Sequence, residues 1–333
     1  MPPEAVAESP FPMSDSFRES REPAPFHGHQ NSGIAASLAH NDRVMQSERH
    51  DLPAMRTVSA TRYVSPFREG GSLPGLIEAD DDGLYVVKFR GAAQGTKTLV
   101  AELIAGEIGR VLGLAVPELV FFDLPQGFGM AEPDPEIREL LERSEGVNLG
   151  LDFLPGALPF DLAAATTAKR PIDPVLAADI VWYDAFIANV DRTTRNPNML
   201  RWHDRLWLID QGAAIFPHHR WADPAEQGRR PFPAIKDHIL LPVAGSLIEA
   251  DRRMADRLRA EDLWAIVSMV PDDWLGEDAQ VGGPDAQRAA YVAYFNARLQ
   301  APRPFIAEGE RLRTDAAVGA IDPERATRGR RRE

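Results

Sequence analysis

The residue pattern predicts an α+β chain: a small β-rich half containing one helix, followed by a larger, mainly helical half. Three observations carry this. Short β-branched and aromatic runs cluster between Thr57 and about Gly150, helical periodicity dominates from about Phe160, and a polar loop with a tight hairpin lies inside the helical half. A chain of 333 residues can bury two cores, and 44% hydrophobic with 26% charged residues is the composition of an ordinary globular protein.

Residues 1–54 are rich in Pro, Ser, Glu, Asn and His with no sustained apolar period, and are expected to be a disordered tail. His27, His29, His40 and His50 within it are spaced too loosely for a metal site. Strands are predicted at Thr57–Ser65, Leu76–Glu78 and Leu84–Arg90, the last two joined by a turn at Asp80-Asp81-Asp82-Gly83. One helix follows, Thr98–Gly113, with Leu99, Leu103, Ile104, Ile108 and Val111 on one face and Gly113 ending it. Strand signals resume at Glu118–Leu124 and Val147–Phe153. In the second half a helix spans Asp173–Asn189, and Met199–Trp202 with Arg205–Ile209 form a hairpin across His203-Asp204. The division is therefore a β-rich lobe over residues 55–152, a helical lobe over 153–310 and a charged tail over 311–333.

Composition excludes several functions. A net charge of −13 argues against a broad nucleic-acid-binding face, because phosphate backbones demand a basic surface. No cysteine is present, which removes disulfides, thiol catalysis and cysteine-held metal centres. No apolar run is long enough to span a bilayer and no signal pattern opens the chain, so a cytoplasmic protein without a membrane partner is expected. His218-His219 with Asp223 reads as a solvated loop, since adjacent histidines do not easily face one ion. Trp182, Trp202, Trp207, Trp264 and Trp274 read as core residues.

The chemistry centres on Asp191-Arg-Thr-Thr-Arg-Asn196-Pro-Asn198, a polar loop after a buried helix, and on Asp210-Gln-Gly212, which the hairpin delivers. Phosphoryl transfer needs one carboxylate to take the acceptor's proton. A second carboxylate and an amide oxygen hold Mg²⁺. Asp191 to Asn196 has the catalytic-loop spacing of kinases, and Asp210-Gln-Gly stands where they carry a metal-binding Asp-Phe-Gly. Each residue alone could merely cap a turn; order and spacing together point to chemistry. Asn198 is a second candidate ligand beside Asn196. Lys88, inside the apolar strand Leu84–Phe89, is costly unless its ammonium meets an anion, although an edge strand could point it to water. Glu102 in the following helix is the carboxylate that could pin it, Glu107 is the alternative, and Lys97 reads as a surface residue. The loop Arg68–Gly75, with Gly70, Gly71 and Ser72, could lay backbone N–H groups over phosphates, or could be a flexible hairpin turn.

These residues carry a family likeness. The Tyr-Val-Val-Lys88-Phe-Arg strand, the Asn189-Val-Asp191…Asn196-Pro-Asn loop and the Leu-Ile-Asp210-Gln-Gly turn resemble the HipA-like kinases, in particular a short bacterial branch lacking the extra N-terminal subdomain of the toxin HipA. The Asp-Arg…Asn loop is also similar to that of phosphoinositide-kinase-like enzymes. The resemblance implies a bilobal protein-kinase-like fold binding ATP and Mg²⁺ in its cleft, with serine/threonine phosphorylation of a protein substrate. Asp191 would be the base, Asn196 and Asp210 the metal ligands, Lys88 the phosphate contact, and Asp152-Phe153-Leu154 the inter-lobe hinge lining the adenine pocket. Some members phosphorylate a serine in the nucleotide loop, which would be Ser72. An antitoxin-like partner is not identified by the sequence. The chain departs from eukaryotic kinases in having Asn-Val before Asp191, Gln211 in the metal turn, and no Ala-Pro-Glu segment. Two other readings are a catalytically silent nucleotide-binding scaffold and a small-molecule or lipid kinase. A pyridoxal-phosphate enzyme using Lys88 or Lys236 lacks the expected long βα alternation.

Overall fold

Five strands close into a barrel in the order β1-β2-β3-β5-β4: β1 (Thr57–Pro66), β2 (Gly75–Ala79), β3 (Leu84–Lys88), β4 (Leu119–Leu124) and β5 (Gly146–Asp152). Each lies where the residue pattern predicts a strand. The closure is new, because it rests on parallel pairing of Thr57–Ser59 with Phe121–Asp123, and no local turn announces such a long-range pairing. Alternate residues point inward, among them Val58, Ile77, Val87, Val120 and Phe122, and form a core of their own.

The computed structural model describes residues 54–67, 73–167 and 171–321. Residues 1–53 of the expected tail over 1–54, the loop residues Gly70, Gly71 and Ser72, and the end from residue 322 lie outside the described residues.

Between β3 and β4 runs α1 (Thr96–Val111). It is buried all round from Leu99 to Gly109 rather than along one face, since Leu119, Leu149 and Leu151 of the barrel cover one side and the helical half covers the other. A second helix, α2 (Pro135–Arg143), corrects the expectation of a single helix among the strands. Its start is marked by Asp134, whose carboxylate accepts from Glu136 N at 3.0 Å, with proline at the first position; Ile137, Leu140 and Leu141 close one end of the barrel core.

The second half is helical: α3 (Leu162–Thr167), α4 (Pro174–Phe186), α5 (Pro224–Gly228), α6 (Leu247–Ala255), α7 (Ala260–Ser268), α8 (Asp272–Leu275), α9 (Pro284–Leu299) and α10 (Pro304–Ile321). A small sheet β6-β7-β8 (Leu158–Pro159, Met199–Trp202, Arg205–Leu208) is set among them. The β7–β8 turn has positive φ at both His203 (46°) and Asp204 (60°), the two-residue turn whose twist matches the strands. Helix α4 is the axis of this half. Asp173 caps its start, Trp182 stacks on Phe186 at 5.1 Å, and buried Arg298 donates to the carbonyls of Ala185 and Phe186 at its end. The last helix runs past the expected boundary at 310, because Leu312 packs on the core and Glu310 binds both Leu247 N (2.8 Å) and Arg313 (2.6 Å).

Of the five tryptophans expected in the core, Trp182 and Trp274 lie there, as does the sixth, Trp221; Trp202 and Trp207 are half-buried and Trp264 is exposed, contrary to expectation. Among the described residues no helix is long and apolar enough to cross a membrane.

Candidate active site

An ammonium group taken out of water needs a counter-charge. Lys88, the last residue of β3, is 6% exposed and finds two: Nζ donates to Glu102 Oε2 and to Asp210 Oδ1, each at 2.6 Å. Glu102 of α1 is completely buried, and its Oε1 has no hydrogen-bond partner. Glu107, the alternative partner, turns instead to Arg110 at 3.4 Å. The charges act on one another in a definite sense. Burial pushes Lys88 down, but the two carboxylates together hold it above the usual lysine value. Burial pushes Glu102 up despite the lysine, whereas the Lys88 ammonium holds half-exposed Asp210 below the usual carboxylate range. One cation and two anions leave an excess negative charge, and its open side is Asp210.

Asp210 follows β8 with a left-handed backbone (φ 56°), a conformation that costs an ordinary residue on the order of 1–3 kcal/mol and persists because the surroundings impose it. Those surroundings are close. The Gly212 N–H donates to Asp210, and a Cβ at Gly212 would lie 2.5 Å from Thr98 Cγ2 of α1, so only glycine lets the turn sit flush on the helix that carries Glu102.

The loop after α4 is organised by a carboxylate that the sequence reading passed over. Asp184, buried in α4, accepts from Asn189 Nδ2 (2.9 Å), from Arg192 Nε and from His238 Nε2 (2.9 Å). The Leu240 N–H donates to His238 Nδ1 at 3.0 Å, which leaves the ring proton on Nε2, facing Asp184. Burial pushes Asp184 up, yet Arg192 and His238 hold it below the ordinary range. Arg192, itself buried, donates onward to the carbonyl of Asn198, while Ile239 N donates to its own carbonyl at 3.1 Å. One buried ion pair thus ties together α4, the loop, the start of the hairpin and the segment around His238. The readable signal was an aspartate inside the apolar stretch Ile180–Ile187, where a carboxylate needs partners.

On this support, Asp191 is partly exposed. Its Oδ2 accepts from Asn196 Nδ2 at 2.6 Å and from Asn198 Nδ2 at 3.2 Å, and the Asn198 amide also lies 3.5 Å from the Asp210 carbonyl. The buried Asn198 (φ 47°) therefore bridges the two aspartate segments, and the exposed Asn196 reaches only Asp191. Lys88, Glu102, Asp210, Asp191, Asn196 and Asn198 converge. Asp152-Phe153-Leu154 does not share their contacts. Asp152 pairs with Tyr85, three register positions along from the Lys88–Leu149 pair and so about 10 Å away. The N–H groups of Asp152 and Phe153 are spent on Glu118 O and Leu84 O, both at 2.9 Å.

The solvated-loop expectation is corrected for His218, whereas His219 is exposed. His218 is fully buried, 3.0 Å from the Tyr291 hydroxyl and 3.2 Å from His219 Nε2, and burial pushes it down to about 3. Lys97 is not a bare surface residue, since it donates to His218 O and Asp278, both at 2.9 Å. Among the described residues no group of three or more His, Asp or Glu side chains could hold a metal. The oxygen donors at hand are the Asp210 and Asp191 carboxylates and the amide oxygens of Asn196 and Asn198, whose N–H groups already face Asp191. Such a hard, incomplete donor set fits Mg²⁺, which keeps waters and phosphate oxygens in its shell.

The chain is similar to a crystallised Helicobacter pylori proinflammatory kinase, CtkA, at 15% identity and a TM-score of 0.48 over 79% of this chain and 99% of that one. No curated protein sequence matches it. The family model for HipA-like kinases matches residues 61–294, well over half of the chain and including every residue of the converged cluster. The chain belongs to the HipA-like kinases, and is a phosphotransferase.

Proposed function

We propose that the chain is an ATP- and Mg²⁺-dependent kinase that phosphorylates a serine or threonine of a protein substrate, with a β-rich lobe over 55–152 and a helical lobe over 153–310. The observation that carries this is the Lys88 ammonium held between Glu102 and Asp210 at 2.6 Å, beside an Asp191 fixed by two amides. ATP supplies the phosphoryl group, and Mg²⁺ bound with it screens the phosphate charge. Lys88, oriented by Glu102, contacts the phosphates. Asp210 holds the metal, with an amide oxygen from Asn196 or Asn198. Asp191 takes the proton of the acceptor hydroxyl as its oxygen bonds to phosphorus and the bond to the ADP leaving group breaks. Gly70, Gly71 and Ser72 cover the phosphates, and Ser72 is a candidate for autophosphorylation. The backbone around Leu154 receives the adenine.

The test is transfer of radiolabel from ATP with Mg²⁺ into the proteins of a cell extract, beside Asp191→Ala. The reading predicts labelled bands with the parent chain and none with the variant. Equal labelling by the two would overturn it, as would nucleotide binding with no transfer at all, which is the behaviour of a silent scaffold.

A further inference from the structure

A groove of about 540 Å³ opens beside the catalytic loop, lined by Phe160, Asp161 and Ala163 on one side, Thr194 and Pro197 of the loop on the other, and Ile239. That volume accommodates one small ligand or a few side chains. Its walls are tied to the loop they flank. Phe160 N donates to Met199 O at 3.0 Å, just where the loop enters β7, and Ile239 N donates to Arg192 O at 3.1 Å. Thr194 is three residues from Asp191, a span of at most about 11 Å. An extended chain advances about 3.3 Å per residue, so a residue in the groove stands two to four positions from a hydroxyl at Asp191.

The side chains that line it are apolar apart from the Thr194 hydroxyl and the Asp161 carboxylate. Asp161 Oδ1 accepts from Ala163 N (2.7 Å) and Ala164 N (3.1 Å) at the start of α3, which leaves Oδ2 facing away from the cap, and no ion pair engages Asp161 among the described residues. Apolar walls with an anion at the rim match one kind of side chain, an aliphatic stem ending in a cation. An acidic side chain would be repelled there, and an aliphatic one would cover Asp161 without pairing it. We infer that the groove holds the acceptor polypeptide and that Asp161 selects a lysine or arginine two to four residues from the phosphorylated hydroxyl. This rests on reading Asp191 as the base that meets the acceptor.

The test is a positional-scanning library of serine-centred peptides, phosphorylated by the full chain with radiolabelled ATP and Mg²⁺. The expected result is enrichment of Lys and Arg at one position within that window. Asp161→Asn keeps the helix cap and lowers that enrichment about fivefold, the value of a rim ion pair. Ala163→Trp, at an exposed position, fills the groove and lowers kcat/KM for the selected peptide at least about tenfold, with the dissociation constant for ATP and the melting temperature unmoved. A preference for acidic residues, no preference, or a basic preference that survives Asp161→Asn overturns the inference while leaving the kinase reading intact. A chain that binds ATP but phosphorylates no peptide refutes the polypeptide acceptor, and one that binds no nucleotide refutes the kinase reading itself.

Discussion

Lys88→Met tests the charge cluster more sharply than it tests catalysis. Methionine keeps the apolar stem, so strand packing suffers little. From the sequence alone, unchanged apo stability is expected. The structure reverses that expectation, because Lys88 is the cation beside a Glu102 carboxylate that is 0% exposed. Without it Glu102 takes up a proton. Holding a carboxyl protonated at pH 7 against an unfolded pKa of about 4.3 costs about 1.36 × (7 − 4.3), or ~3.7 kcal/mol. That lies within the ~3–5 kcal/mol typical of a broken buried pair. In a domain of this size it lowers Tm by about 7–15 °C. The folded variant's Glu102 would have a raised pKa, so the folded state binds the extra proton and the deficit grows as pH rises above about 4.3. At pH 5 the same arithmetic leaves only about 1 kcal/mol. Thermal unfolding of apo parent and variant at pH 5 and pH 7 measures it, with the double variant Lys88→Met/Glu102→Gln as the rescue. An unchanged Tm at pH 7, or a deficit that neither acidification nor the added Glu102→Gln change relieves, refutes the reasoning.

Asp184→Asn leaves the Arg192 guanidinium buried without its anion and is expected to cost ~3–5 kcal/mol at pH 7, read from thermal melts. Because Asp184 titrates below the ordinary carboxylate value, the parent has this contribution above pH ~4 and loses it as pH falls further, so parent and variant converge in acid. Gly212→Ala places a methyl 2.5 Å from Thr98 Cγ2 and forces the Asp210-Gln-Gly turn off α1, lowering stability by ~1–3 kcal/mol and weakening nucleotide binding measured by calorimetry. Asp210→Ala is expected to abolish Mg²⁺-dependent turnover with the fold retained, checked by circular dichroism beside the activity assay.

The strands were legible because their signal is local. Val86-Val87-Lys88, the Asp80–Gly83 turn and the His203-Asp204 turn each announce themselves within a few residues, and the Asp191–Asn196 spacing survives without any tertiary information. The residues missed are those whose role depends on distant partners. Asp184 gains its meaning from His238, 54 residues away, and His218 from Tyr291, 73 residues away. The parallel β1–β4 closure has the same non-local character. Helix α2 was local and readable, since Asp134-Pro135-Glu136 is a capped start, but the helix is only nine residues long and the strands around it dominate the window. That Asn198 reaches both aspartate segments, while Asn196 reaches only Asp191, needed three dimensions to see.

The central claim is that Asp191 acts on the acceptor rather than on the nucleotide. It is tested most directly with Asp191→Asn, which keeps the shape and the loop's hydrogen bonds but cannot accept a proton. Calorimetry with ATP and Mg²⁺ is expected to give the parent's affinity to within about twofold, while the rate of phosphoryl transfer falls by about 10²–10⁴. Transfer at the parent's rate, or loss of nucleotide binding together with activity, would contradict it.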